Sequence, residues 1–547
     1  MNRRGFLRLS ASTALSVAAL AACGSGGGAA PAAKAQGLTI KLPSYTPLAG
    51  ALKPDLAGNA AGVPEGYFTY PKELFKAVAK PPMSGGTITA ASQTFSPPPP
   101  GREQNPAWQE MEKRLGGKVE LTVVAADDWA TKFNTMVAGN SLPDLFPYIA
   151  TQGVNNLPAF AASQCADLTA LLGGDAVKEY PNLAAIPEIF WKQGIVGGKL
   201  YGIPVPRNLV GGLGFYRADI LAEAGVTDLA QITDMDRLFE ALKAVTDPAR
   251  KRWGVVTATG GLFGLSIFSQ LFGAPNGWRL DKATGKLTAG FETEEYRAAV
   301  EYVIKLREAG IIYPGSEGFD TLKRKNTFNS GGAAMTYDGL PAYLGAAGYL
   351  QTQKKIDQKA DPRPLVPFGG KAVAFMNNIA FATNFVKKAD EAKVKEVLRV
   401  ADFFASPFGS EEYTLINYGV EGTDYTRDDK GNPVLTEQGA KDTTVPWKYL
   451  AAPTQPVYDA TSADAVRIQH DAISRLIAVG VEDPTTGLYS PAHENKLESL
   501  STMRVDRLTS IMAGRAPMSD YDQLVKDWRA AGGDQARKEF EEVLAAS

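Results

Sequence analysis

Residues 119–149 of this chain read VELTVVAADDWATKFNTMVAGNSLPDLFPYI. The Val-rich run 119–124 predicts a β-strand, and 145–149 predicts a second strand that is short and buried. Between them, 128–138 predicts a helix that Gly139 and Asn140 end. A strand, a helix and a strand in this order predict a βαβ unit, and therefore a mainly parallel sheet with helices on both faces.

The residues before this unit continue the alternation of strand and helix. The run 86–91 is β-rich, and 105–115 predicts a helix that begins at Asn105 and Pro106. Trp108 shares one helical stripe with two other apolar residues, so we expect it in the core.

Composition bounds the class of protein. With 547 residues and 44% hydrophobic content, the chain is long enough for more than one domain. A net charge of −2 argues against a nucleic-acid partner. The sequence has two histidines, no zinc-like ligand spacing and no GxxxxGK[ST] loop, so we expect no metal and no cofactor.

The N-terminus has the parts of an export signal: a basic start, an apolar run at 11–22, and then Leu20-Ala21-Ala22-Cys23. The run is shorter than the roughly 20 residues that span a bilayer. Its end resembles the bacterial lipobox, which implies acylation of Cys23, and Arg3-Arg4 resembles a twin-arginine signal. We expect a signal peptide at 1–23, a flexible linker at 24–37 and an extended arm at 38–83. The alternative is an uncleaved anchor with an incidental cysteine.

Five motifs in order resemble bacterial extracellular solute-binding proteins of family 1, in their larger lipoprotein-type branch. They are GNSLPDL at 139–145, GKLYGIPVP at 198–206, LGFYRADIL at 213–221, FNSGGAAM at 328–335 and INYGVEGTDY at 416–425. The resemblance implies an α/β, two-lobed periplasmic-binding-protein type II fold with a hinge and an interlobe ligand cleft. By this likeness lobe one comprises 84–207 plus 370–410, and lobe two 208–369 plus 411–547. The crossovers would lie near Arg207 and 364–367, where prolines suit a hinge.

In open α/β sheets, ligands bind beyond the carboxyl ends of strands. Aromatic rings that stack on sugar faces and polar groups that bind hydroxyls are the chemistry that carbohydrate recognition requires. The residues that follow predicted strands, with two aromatics of a Pro-bounded loop, give the candidate ligand contacts Gln93, Glu103, Asn105, Tyr148, Gln152, Arg207, Asn208, Tyr337, Asp338, Trp447 and Tyr449.

Structural interpretations of these residues stay open beside the functional one. Arg207 is also suited to a surface ion pair, and 337–339 to a plain turn. The acidic run 424–431 resembles a calcium loop only weakly, because Arg427 and Lys430 interrupt its carboxylates, and a hairpin turn is the better interpretation.

The resemblance implies a monomeric binding protein, not an enzyme, that captures a carbohydrate, most simply an oligosaccharide. It would deliver the sugar to the permease subunits of an ABC importer, and would be held by lipid on the outer side of the cytoplasmic membrane. The alternatives are a peptide, an amino-sugar or a fragment of a polyanion as ligand, a structural lipoprotein, and an exported glycoside-acting enzyme. A polyanionic fragment would require several arginines and lysines in the cleft.

Overall fold

The computed structural model describes residues 40–546 except 96, 150–153, 155, 259, 261, 346–347 and 377–379. The predicted signal peptide, the lipidation site Cys23, the linker at 24–37 and the predicted contact Gln152 lie outside these residues. No helix within the described ranges combines the length and apolar character needed to span a bilayer.

The first sheet has five strands, of which four are parallel and one is antiparallel. In spatial order they are Lys118–Ala125, Thr87–Thr94, Leu145–Tyr148, Ala380–Val386 and Gly202–Pro206. The strands predicted near 86–91, 119–124 and 145–149 are therefore confirmed. Strands Thr87–Thr94 and Lys118–Ala125 pair in parallel along their whole length, with Thr87 opposite Lys118 at one end and Thr94 opposite Ala125 at the other.

Helix Pro106–Leu115 shows how local sequence sets these elements. The Asn105 side chain accepts a hydrogen bond from the Trp108 N–H at 2.9 Å, and Pro106 occupies the first turn, where no N–H is needed. Gly116 ends the helix with a φ of 72°, a conformation that suits glycine. The predicted apolar stripe, Trp108 included, is buried.

The second sheet has four strands, which in spatial order are Pro362–Pro364, Gly212–Arg217, Ala333–Gly339 and Trp253–Val255. Strand Gly212–Arg217 runs antiparallel to both of its neighbours, whereas the last two strands are parallel. Each sheet thus contains one strand that opposes the others, so the prediction of mainly parallel sheets is confirmed with that exception.

Helices surround both sheets and make up most of the C-terminal part. The longer α-helices are Pro106–Leu115, Trp129–Ala138, Leu157–Gln164, Met235–Ala244, Glu294–Glu308, Thr321–Asn329, Tyr349–Ile356, Glu391–Phe404, Glu411–Tyr418, Ala463–Ala478, Pro491–Met512, Asp520–Trp528 and Asp534–Ala545. The shorter ones are Thr169–Leu172, Pro181–Ala184, Glu188–Trp191, Ala218–Glu223, Leu265–Leu271 and Gly439–Asp442. Small pairs of strands join Gly66–Tyr67 to Val457–Tyr458, Ile195–Val196 to Lys199–Leu200, Trp278–Asp281 to Lys286–Ala289, Ala374–Phe375 to Gly480–Val481, and Tyr425–Arg427 to Pro433–Leu435. The last pair is the hairpin expected at 424–431.

Two large hydrophobic cores hold the layers together. The first joins Ile88 and Val119 to Leu415 and Val466, and it continues to Phe215 of the second sheet. The second core joins the strands Trp253–Val255 and Ala333–Gly339 to apolar residues of the last three helices. Helices Glu411–Tyr418 and Ala463–Ala478 therefore pack into the core that contains the first sheet. The lobe boundaries stay a prediction.

The arm, from residue 40 to 83, is extended and is tied to late parts of the chain. Its strand Gly66–Tyr67 pairs in parallel with Val457–Tyr458. Tyr70 is buried, with its hydroxyl 2.8 Å from the Thr414 hydroxyl and its ring centroid 4.9 Å from that of Phe408. These contacts make the arm a packed part of the fold.

Replacing Tyr70 tests that packing. We expect Tyr70→Ala to cost about 3–5 kcal/mol, as for other buried aromatic rings, and to lower Tm by several degrees. Tyr70→Phe removes only the hydrogen bond, at about 1 kcal/mol. Thermal unfolding of both variants checks this, and an unchanged Tm for Tyr70→Ala would show that the arm does not pack in solution.

Two buried carboxyl groups, Asp424 and Asp442, lie beside each other near the hairpin. Gln438 Nε2 donates to both oxygens of Asp442, at 2.9 and 3.0 Å, so both oxygens act as acceptors. Burial, and then the neighbouring Asp442, raises the pKa of Asp424, although the Val420 N–H donates to it at 2.7 Å. The folded chain therefore binds the Asp424 proton more tightly than the unfolded chain does.

Because the folded pKa is the higher one, this stabilisation is complete below the unfolded pKa and is lost as pH rises through the folded pKa. We expect the Tm of the parent chain to fall between about pH 5 and pH 8, and Asp424→Asn to reduce that fall, because its amide can donate to Asp442. Asp442→Asn is the matched control: its amide would face the Gln438 donor, so Tm should drop. Equal effects of the two variants would contradict this assignment of the proton.

Candidate functional site

The edges of the two sheets border one cavity of about 770 Å³, here called the central cavity. Strands Gly202–Pro206 and Ala333–Gly339 reach it with their carboxyl ends, and Ala380–Val386 with its amino end. The lining residues used below are Arg207, Asn208, Lys325, Asp338, Phe381, Tyr413, Asn417, Lys448 and Tyr449. The volume lies in the range of small-ligand sites, about 300–1,000 Å³.

A second cavity of about 400 Å³, here called the side cavity, shares Phe381 with the first. Tyr148 lines it and stacks on Phe385 with 5.5 Å between ring centroids. Burial, and then the charge of Glu494, raises the pKa of Tyr148 to about 12, so its hydroxyl keeps its proton at neutral pH. Burial also raises the pKa of Glu494, which lines the same cavity.

Aromatic rings form one wall of the central cavity. The centroids of Phe381 and Tyr449 are 4.6 Å apart, and Phe95 lies edge-on to both at 5.9 and 6.0 Å. The Arg207 guanidinium lies 4.4 Å above the Phe381 ring, a cation–π contact. Phe95 is 63% exposed, so this cluster presents ring surface to the solvent.

Asp338, from the second sheet, supplies a carboxylate to the cavity. It accepts hydrogen bonds from Tyr349 Oη at 2.5 Å and Arg324 Nη2 at 2.9 Å, and Lys325 Nζ lies at 3.4 Å. Burial opposes ionisation, but the Tyr349 hydrogen bond and the Arg324 charge outweigh it and hold the pKa of Asp338 below its usual value. Arg324 also donates to Thr336 Oγ1 and to the Tyr337 carbonyl, which fixes the end of the strand.

Four of the predicted contacts line the central cavity: Arg207, Asn208, Asp338 and Tyr449. Tyr148 lines the side cavity instead. Gln93 is buried within its strand at 4% exposure, and Tyr337 lies across Gly212, where an added Cβ would overlap its hydroxyl. Whether any of these residues binds ligand stays a prediction.

Three predicted contacts are placed elsewhere for clear physical reasons. Asn105 is fully buried, with its side chain occupied by the helix cap and by the Asp442 carbonyl at 3.1 Å. Trp447, predicted as a contact because it is an aromatic residue of a Pro-bounded loop, is only 3% exposed and lies between Trp108 and Phe404. Glu103 is exposed at the surface and pairs with Arg102 at 3.1 Å. None of these three residues lines the central cavity or the side cavity. Glu103 borders a separate groove that is more open to solvent.

Sequence reasoning missed Phe381, Lys325 and Lys448. The rule used there selects residues after parallel strands, whereas Phe381 is the second residue of an antiparallel strand whose amino end lies at the same edge. Lys448 is adjacent to the predicted Tyr449, and its position was a usable signal.

The protein has two β-sheets, each packed with helices, and their edges share a ligand-sized cavity. This is the architecture of a two-lobed binding protein of the periplasmic type II fold. Residues 106–394, more than half of the chain, match the family model of the bacterial extracellular solute-binding proteins. The chain belongs to this family, and the predicted fold class is confirmed.

Known relatives extend over most of the chain. The polygalacturonan/rhamnogalacturonan-binding protein YtcQ of Bacillus subtilis is 24% identical over 450 residues, covering 80% of this chain and 88% of YtcQ. Lipoprotein LipO of the same organism is 24% identical over 487 residues, covering 85% and 93%. Among solved structures, an HMO-binding solute-binding protein associated with an ABC transporter, from Bifidobacterium longum infantis, has a TM-score of 0.61 at 14% identity, covering 86% of this chain and 99% of that one. The last likeness concerns the fold.

Removing the Asp338 charge tests its structural role. Arg324 is 8% exposed in its side chain, so we expect Asp338→Asn to cost about 3 kcal/mol at pH 7, because it leaves a buried cation without its partner. Since the folded pKa of Asp338 is lowered, this loss should shrink as pH falls below about 4. Asp361→Asn, which removes a more exposed carboxylate from Arg363, is the control and should cost under about 1 kcal/mol. Equal losses in thermal unfolding would contradict this role.

Proposed function

We propose that this protein captures an oligosaccharide in the central cavity and delivers it to an ABC importer. One observation carries the proposal: the ring pair Phe381 and Tyr449 lies in the same cavity as the polar side chains of Arg207, Asn208 and Asp338. Rings suit the apolar faces of a sugar, and directional polar groups suit its hydroxyls. The carbohydrate ligands named for YtcQ and for the Bifidobacterium protein support a sugar for this chain.

Capture by closure of two lobes is the proposed mechanism. The chain passes from the first sheet to the second between Pro206 and Gly212, and returns between Pro364 and Ala380. Arg207 lies in the first connection and Asp338 ends a strand of the second sheet, so a ligand that contacts both residues would favour the closed state.

A binding role is favoured over glycoside hydrolysis by the carboxylates of the cavity. Hydrolysis requires two carboxylates that flank the scissile bond. Among the described lining residues of the central cavity, Asp338 is the sole carboxylate, and Arg324 and Lys325 already surround it. The chain is therefore proposed to bind without catalysis.

Location follows from the family and from the N-terminal sequence. The family is extracellular, and the mature chain is proposed to be held at the outer side of the cytoplasmic membrane by lipid on Cys23. The permease subunits of the importer are its proposed partners, and the protein is proposed to act as a monomer.

A thermal-shift screen of the mature chain with Cys23→Ser, against oligosaccharides with peptides as controls, tests this function. A sugar at 100 times its Kd should stabilise the protein by about 2.7 kcal/mol and raise Tm by a few degrees. Tyr449→Ala should weaken that sugar about tenfold through lost stacking, and solution scattering should show compaction on binding.

Tyr45→Ala is the matched control, since Tyr45 is an exposed ring that does not line the central cavity. It should leave affinity unchanged. A shift with peptides alone would support the peptide alternative, release of sugar products would support an enzyme, and unaltered binding by Tyr449→Ala would place the sugar elsewhere.

A further inference from the structure

The central cavity carries more positive than negative charge. Arg207, Lys325 and Lys448 line it, whereas its described lining holds one carboxylate, that of Asp338. Asp338 is already matched by the buried Arg324 at 2.9 Å, so the three lining cations exceed what the wall itself neutralises. A cavity with this balance attracts a negatively charged solute.

Two of these cations have no carboxylate within ion-pair distance among the residues that the structure describes. Arg207 lies over the Phe381 ring, and the Lys448 ammonium lies 5.5 Å from the Tyr449 ring centroid. Arginines elsewhere differ, since Arg297 and Arg363 each have a carboxylate at 2.7 Å. The cavity therefore keeps charges that the fold does not use for its own ion pairs.

Protein atoms surround part of both cations, although Arg207 and Lys448 each keep substantial exposure to solvent. The nearby protein partly desolvates the charged groups and so lowers the pKa of both Arg207 and Lys448, at some cost to their charged forms. A ligand carboxylate in the same partly desolvated space would offset that cost, and the interaction would be stronger than in bulk water.

We propose that the solute is an acidic oligosaccharide whose sugar rings carry carboxylate groups, as hexuronates do. This inference rests on the proposed function and narrows its substrate class. Arg207 and Lys448 flank the pair of rings on which a sugar would stack, and the planar guanidinium fork of arginine matches a carboxylate.

Through Lys325, an acidic ligand could also favour closure of the two lobes. Lys325 belongs to helix Thr321–Asn329, which precedes strand Ala333–Gly339 of the second sheet, whereas Arg207 follows a strand of the first. A solute with carboxylates along its length can therefore contact cations on both sides of the cavity. Its charge would contribute to closure as well as to affinity.

The test compares matched ligands by calorimetry on the mature chain with Cys23→Ser. The probes are α-1,4-linked trigalacturonate with its carboxyl-reduced counterpart, a galactotriose, and trimannuronate with mannotriose. We expect at least one acidic trisaccharide to bind about tenfold or more tightly than its neutral partner, and its affinity to fall as salt is raised.

Variants connect that preference to the cavity. Arg207→Gln and Lys448→Gln should each weaken the acidic ligand about tenfold, and should weaken a neutral ligand less, because glutamine keeps a hydrogen-bond donor for hydroxyls but carries no charge. Lys199→Gln removes the same charge from a surface pair with Asp167, outside the central cavity, and should change neither affinity. The Tm of each free variant establishes that it is folded.

Each other outcome overturns a distinct statement. Neutral trisaccharides that bind as tightly as the acidic ones would overturn the acidic preference and leave sugar capture standing. Acidic binding that is insensitive to both Arg207→Gln and Lys448→Gln would overturn its placement in this cavity. Binding of none of these or other oligosaccharides would overturn the proposed function itself.

Discussion

Strand Ala380–Val386 pairs on both sides with strands from much earlier in the chain, Leu145–Tyr148 and Gly202–Pro206. The pairing is close: a Cβ on Gly202 would overlap the Thr383 side chain, so this position requires glycine. Because the chain builds the entire second sheet between Pro206 and Ala380, it must leave the first sheet and return. The two connections at one edge, and the cavity beside them, follow from this pairing.

The charged side chains of the cavity are of two kinds: those that form ion pairs within the fold and those that do not. Asp338 and Arg324 satisfy each other at the end of a buried strand, where Arg324 without Asp338 would be an uncompensated buried charge. Arg207 and Lys448 lie near the aromatic rings of Phe381 and Tyr449 and have no such partner among the described residues. The first pair holds the wall in place, so mutations there should alter stability, whereas mutations of the second pair should alter what binds.

The sequence predicted the local elements of the first sheet well, because periodicity and caps are local. It predicted Arg207 and Asp338 as ligand contacts from their places at strand ends, and both line the cavity: Arg207 follows strand Gly202–Pro206, and Asp338 lies near the end of strand Ala333–Gly339. It also predicted Trp447 as a contact, but this ring is buried, since a loop position says nothing of the rings of Trp108 and Phe404 that enclose it. Long-range contacts of this kind, and the edge at which an antiparallel strand begins, are not encoded in any short stretch.

Residues from the C-terminal part of the chain line the central cavity, and the arm packs against that part. Tyr413, Tyr449 and the loop that ends at Pro456 line the central cavity, although they lie beyond residues 106–394 that match the family model.

The arm forms hydrogen bonds with residues next to these cavity-lining segments. Val457 N–H, directly after Pro456, donates to the Glu65 carbonyl at 2.8 Å, and Glu412, beside Tyr413, accepts from the N–H groups of Ala77 and Val78 at 3.0 and 3.2 Å. Because the arm bonds next to Tyr413 and next to Pro456, it limits how far the rings of Tyr413 and Tyr449 can move. Loosening the arm should therefore reduce affinity for a solute as well as stability, because the rings would have to be ordered again on binding.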